Sequence, residues 1–112
     1  MSKRSSPIGA AVSDHIKDSL KNPEFRAEYE RLAPYEELAR IVIMRRAALD
    51  LTQAELATRM GTTASAVSRI ESGQHATNAQ TLKKLADAFG VRAVFGFEDG
   101  TAEQPERELV VL

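Results

Sequence analysis

Residues 51–73 read LTQAELATRMGTTASAVSRIESG, and the punctuation of this stretch decides the fold. Thr52-Gln53-Ala54-Glu55 has the form of a capping box, in which the Thr52 hydroxyl and the Glu55 carboxylate each serve a free backbone amide at a helix start. A helix follows to about Met60, and Gly61 stops it in a left-handed turn. Thr63 then caps a second short helix from Ala64 to about Glu71, closed by Gly73. Leu56, Met60, Val67 and Ile70 are apolar at spacings that bury a helix pair joined by a tight turn, and Ala57 is small where the two must cross. This is helix-turn-helix geometry.

Working outward, the second helix keeps Val67 and Ile70 for the interior and leaves Thr63, Ala64, Ser65, Ser68 and Arg69 on its outer face and start. That surface suits a DNA major groove: Arg bonds guanine bidentately, Ser and Thr reach several base edges, and an Ala methyl meets that of thymine. Gln53, at the start of the preceding helix, would reach phosphate alongside that helix's amides. The same spacings also allow a structural helix pair with a solvated polar face. Downstream, Asn78 caps a helix AQTLKKLADAF that Gly90 ends, with Leu82, Leu85, Ala86 and Phe89 inward; Lys83 and Lys84 read as a solvated face.

Upstream, Asn22-Pro23-Glu24 starts a helix over about 24–33, and Pro34 restarts the chain into a longer helix over about 35–49. Phe25, Tyr29 and Leu32 make one stripe. Leu38, Ile41, Val42, Ala48 and Leu49 supply a core face, and Ile43 and Met44 call for further cover. Ile16 and Leu20 point inward from two earlier turns, and residues 1–11 read as flexible. At the other end the period changes to two. Val91, Ala93, Phe95 and Phe97 alternate, the turn-rich EDGTAEQPE follows, and RELVVL returns as a second strand. Two isolated strands are marginal in water. The hairpin therefore completes a dimer through Val94, Phe95 and Val110, or folds over its own domain.

The chain of 112 residues is of single-domain size, and its hydrophobic share of 43% with 28% charged residues excludes wholesale disorder. It lacks cysteine, so there is no disulfide or thiolate site, and His15 and His75 form no metal-ligand pattern. No catalytic constellation and no cofactor motif is present, which argues against an enzyme. No apolar run is long enough to span a bilayer, which predicts a cytoplasmic protein. The net charge is only −1, but residues 1–96 carry 14 Lys and Arg against 11 Asp and Glu, while 97–112 carry one against five. An acidic tail masks a mildly basic body, and local placement governs phosphate binding.

Residues 36–90 resemble the XRE family of helix-turn-helix proteins, the Cro and phage-repressor type, with Gln53, Ala57, Gly61, Val67 and Ile70 at the family's spacings. The resemblance implies a mainly α fold: a five-helix domain over 35–90, an N-terminal helical leader over 12–34, and the C-terminal β-hairpin over 91–112. It implies binding to double-stranded operator DNA as a homodimer, with Thr62, Gln74, His75, Thr77 and Asn78 joining the residues above at the interface. It also implies an ion pair between Arg46 and Glu71. More narrowly, LKNPEFRAEYERL followed by ELARIVIMRR resembles the leader of HigA-type antitoxins of type II toxin–antitoxin systems. That likeness implies a RelE/HigB-like toxin as partner, held by Ile16, Leu20, Phe25, Tyr29 and Leu32; the other outcome is an XRE-family regulator with no toxin. One departure is Asp50, which stands where the family usually has glycine and predicts strain in the turn before Leu51.

Overall fold

The computed structural model describes residues 17–112. The expectations for residues 1–11 and for Ile16 lie outside the described residues. The fold is mainly helical with an antiparallel hairpin at its C-terminal end, as the sequence predicts. After a short helical stretch at 17–19 come α1 (Pro23–Ala48), α2 (Gln53–Met60), α3 (Ala64–Ser72), α4 (Ala79–Phe89), β1 (Val94–Gly100) and β2 (Pro105–Val111). The chain divides into two compact units after Pro34.

In the first unit, Asn22 caps α1 as its position before Pro23 predicts: its Oδ1 accepts from the amides of Glu24 at 2.9 Å and Phe25 at 3.2 Å. One expectation fails here. The chain does not restart at Pro34, because the helix runs through it. An interior proline forfeits one backbone hydrogen bond and crowds the preceding turn, at a cost of about 3 kcal/mol. The helix formers on either side outweigh that loss, and the boundary between the units falls at this position.

The second unit holds the core. Val42 of α1, Leu56, Ala57 and Met60 of α2, Val67 of α3, and Leu85 and Ala88 of α4 form one buried cluster, with Leu38, Ile70, Leu82 and Phe89 packed against it. The inward face of α1 is narrower than the sequence predicts. Ala39 is buried beside Val42, whereas Ile41, Ala48 and Leu49 are exposed, as are Ile43 and Met44. Ile41, Met44 and Ala48 recur every three or four residues and line a shallow apolar recess with Arg45. They form a second stripe turned away from the core, which short partners such as α2 and α3 cannot reach around to cover.

The helix stops share one chemistry. Gly61 and Gly90 take left-handed conformations, and the amide just beyond each bonds back to Ala57 O and Ala86 O, both at 2.9 Å. At the end of α1 the same motif is made without glycine. Asp50 has a positive φ of 56°, with its amide on Ala47 O at 3.0 Å and that of Leu51 on Arg46 O at 3.1 Å. This is the only non-glycine residue with positive φ among the described residues, at the position where the sequence departs from glycine.

β1 and β2 pair antiparallel with Phe95 opposite Val110 and Val94 opposite Val111. No residue of either strand is buried.

Candidate nucleic-acid interface

α2 and α3 are set by the caps read from the sequence. The Thr52 box closes in both directions, with Glu55 N on Thr52 Oγ1 at 3.0 Å and Thr52 N on Glu55 Oε1 at 2.8 Å. Those hydrogen bonds, first the one from the Thr52 amide, hold the Glu55 carboxyl below its ordinary range. Thr63 Oγ1 accepts from Ala66 N at 3.1 Å at the start of α3. Gly73 ends α3 in a left-handed turn against α1, where a Cβ would stand 2.9 Å from Glu36 Cα.

The C-terminal end of α3 is fastened from two sides. Arg46 of α1 grips Glu71 bidentately, Nε to Oε2 at 2.7 Å and Nη2 to Oε1 at 2.9 Å, and its Nη1 donates to Leu51 O at 2.8 Å. Gln53 Nε2 donates to the same Glu71 Oε1 at 2.9 Å. The Glu71 side chain is 5% exposed and that of Arg46 20%, so little water competes for the pair. Burial pushes the Glu71 carboxyl up, but the hydrogen bonds from Arg46 and Gln53, with the attraction of Arg46, outweigh it and leave the group below its ordinary value. The bond to Glu71 likewise raises the Arg46 guanidinium. Gln53, read from the sequence as a phosphate contact, thus also belongs to this network and is half-buried.

The N-terminal part of α3 is left open. Ala64, Ser65, Ser68 and Arg69 are all exposed. Thr63 has its oxygen engaged as a cap but keeps its hydroxyl hydrogen to donate. Asn78 is similar, since its Oδ1 accepts from Thr81 N at 2.8 Å and its amide nitrogen stays free to donate. Gln74 is exposed beyond the end of α3, its backbone amide on Ser72 Oγ at 3.2 Å.

Between α3 and the start of α4 runs a groove of about 220 Å³. Thr62, Arg69, His75, Thr77 and Asn78 meet along it, together with Lys84, and no carboxylate lines it. Arg69 Nη2 lies 3.5 Å from His75 Nδ1. Five residues expected at a DNA surface therefore come together here. Lys84 was missed. Asn78, Thr81 and Lys84 recur every third residue of α4, off the stripe of Leu82, Leu85 and Phe89, and that period was the available signal. Lys83, its neighbour, is instead paired with Asp87 at 3.0 Å.

An exposed polar helix start, flanked by a groove with three basic side chains and no acid, is a surface for a polyanion. Residues 42–95 match the helix-turn-helix family. The match spans just under half of the chain, from within α1 into β1, and supports the XRE-type reading. No curated protein and no solved structure gives a significant match to the chain. The helix-turn-helix domain points to a DNA-binding regulator of transcription. Among the described residues no helix is long and apolar enough to cross a membrane, and no cluster of His, Asp and Glu could hold a metal ion.

Of the residues expected to hold a toxin, Leu20, Phe25, Tyr29 and Leu32 fall in the first unit. Phe25 and Tyr29 stack with ring centroids 6.2 Å apart and an interplanar angle of 26°, and both are exposed. Leu20 and Leu32 are half-buried.

Proposed function

We propose that the chain is a sequence-specific repressor that binds a palindromic operator as a homodimer in the cytoplasm and serves as the antitoxin of a type II toxin–antitoxin pair. The observation that carries the DNA part is the division of α3. Its C-terminal end is fastened through Glu71, while Ala64, Ser65, Ser68 and Arg69 stay exposed along the face that a base-reading helix presents to the groove. Arg69 and Ser65 read base edges; Gln53, Thr62, Gln74, His75, Thr77 and Asn78 set the register on phosphates. A two-fold dimer places its reading helices about 34 Å apart, or a multiple of that, hence the palindrome.

The antitoxin part rests on the likeness of LKNPEFRAEYERL to HigA-type leaders, and on the exposed Phe25–Tyr29 stack, a pair of aromatic anchors of the kind enriched at protein interfaces. The partner is a RelE/HigB-like toxin. The family match begins at residue 42 and so leaves the leader aside, and a regulator without a toxin is the second reading.

Two double variants separate these roles. Ser65→Ala with Arg69→Ala is expected to weaken operator binding, Arg69 alone contributing about 1–3 kcal/mol and preference for one base pair, while toxin co-purification is unchanged. Phe25→Ala with Tyr29→Ala is expected to do the reverse. Equal loss on operator and random DNA in the first variant would refute base reading, and full-stoichiometry toxin capture by the second would refute the leader's role.

A further inference from the structure

The hairpin has two open edges, and they are not alike. The Leu112 amide donates to Ala93 O at 2.9 Å, which makes these two residues a hydrogen-bonded pair. By the alternation of an antiparallel ladder, Phe95 with Val110 and Phe97 with Glu108 are bonded pairs as well. The amides and carbonyls of Val94, Gly96 and Glu98 therefore point outward from β1, and those of Arg107, Leu109 and Val111 outward from β2. The outer edge of β2 is guarded where it begins, because Pro105 has no amide to offer. The outer edge of β1 has no proline, and Glu98, the one charged residue whose backbone groups face it, is paired with Arg107 across the hairpin at 2.7 Å. Alongside this edge Phe97 is 79% exposed and Phe95 46%, an arrangement that natural edge strands avoid unless something covers them.

We infer that the partner covering β1 is β1 of a second copy of this chain, paired antiparallel about Gly96 to give a four-stranded sheet in the order β2-β1-β1-β2. The inference specifies the surface of the homodimer proposed above. A two-fold axis normal to the sheet requires a residue to face itself, and a hydrogen-bonded self-pair requires that residue's backbone groups to point outward. Gly96 meets both demands. It has no side chain at the axis, and a Cβ there would lie 1.8 Å from Glu108 O, so the position takes only glycine. This register sets Phe95 opposite Phe97 of the second copy, twice, at non-hydrogen-bonded positions where side chains approach most closely. Glu98 then bonds through its backbone to Val94 of the second copy. Centring the pair on β2 instead would set Arg107 or Glu108 against its own copy, like charge on like, or put two Leu109 side chains at the axis where β1 has none.

Two proline variants of the full chain separate the edges. Glu98→Pro removes an outward amide from β1, and Arg107→Pro removes one from β2; neither amide serves the β1–β2 ladder, and both variants lose the same Glu98–Arg107 ion pair. Light scattering without DNA should give twice the chain mass for the parent and for Arg107→Pro. Glu98→Pro should dissociate at least about tenfold more readily, with the helical melting transition retained. Dissociation of Arg107→Pro but not Glu98→Pro would overturn the edge assignment, and equal behaviour of the two would overturn edge pairing altogether. A parent chain that is monomeric at all concentrations yet binds operator DNA would end the inference while leaving the DNA reading intact.

Discussion

Asp50 holds the left-handed position that ends α1, with φ at 56°, a conformation in which a Cβ crowds the neighbouring carbonyl. Asp50→Gly is expected to raise stability by about 0.5–1 kcal/mol, the relief of that crowding exceeding the added freedom of glycine in the unfolded chain. A thermal melt checks it, and an unchanged or lowered midpoint would show that the turn is not strained. Glu71 behaves oppositely, because it is nearly out of water and bonded to two side chains. Glu71→Ala leaves the Arg46 guanidinium with Leu51 O alone and should cost about 3 kcal/mol in chemical unfolding. A loss below about 1 kcal/mol would place the pair among solvated surface bridges. At this scale legibility depended on whether a residue acts through its neighbours in sequence. The strain at Asp50 and the Arg46–Glu71 pair followed from family spacing. The second bond of Gln53, from 18 residues away, depends on how α2 and α3 cross, which no local pattern encodes.

At the scale of elements, the caps were the readable part. Thr52, Thr63, Asn78, Gly61, Gly73 and Gly90 sit where the chain predicts, since a cap is a local hydrogen bond and needs no tertiary context. Pro34 misled because neighbouring helix formers and the surrounding fold settle whether a proline breaks a helix. The inward face of α1 was drawn too wide, since apolar periodicity counts candidates for burial without knowing how many neighbours exist to bury them. The caps also carry a pH dependence. The carboxyls of Glu55 and Glu71 both lie below their ordinary range in the folded chain. Their contribution is therefore complete above the unfolded value, about pH 4.3, and is lost as pH falls through the lower folded values. Melting midpoints should be flat near neutral pH and decline below about pH 4.3, with α2 and the end of α3 loosening together. In Glu71→Gln the decline should be shallower, and an identical slope would exclude Glu71 as a contributor.

For the whole molecule, the described helices place five of the expected interface residues around one groove, and the family match, residues 42–95, lies within the second unit. The hairpin was legible as two strands, but both of its faces are solvent-exposed, a lack of cover that alternation alone does not encode. One feature of α3 reaches beyond present function. The side chains that hold this helix in place, Val67, Ile70 and Glu71, are distinct from those it displays, Ala64, Ser65, Ser68 and Arg69. Under the proposed function, foldedness and sequence preference are thus written in separate letters of a nine-residue helix. Descendants of such a chain can exchange the displayed letters freely, drifting toward new operators without first passing through an unstable ancestor, so that paralogous copies in one cell become insulated from each other's promoters.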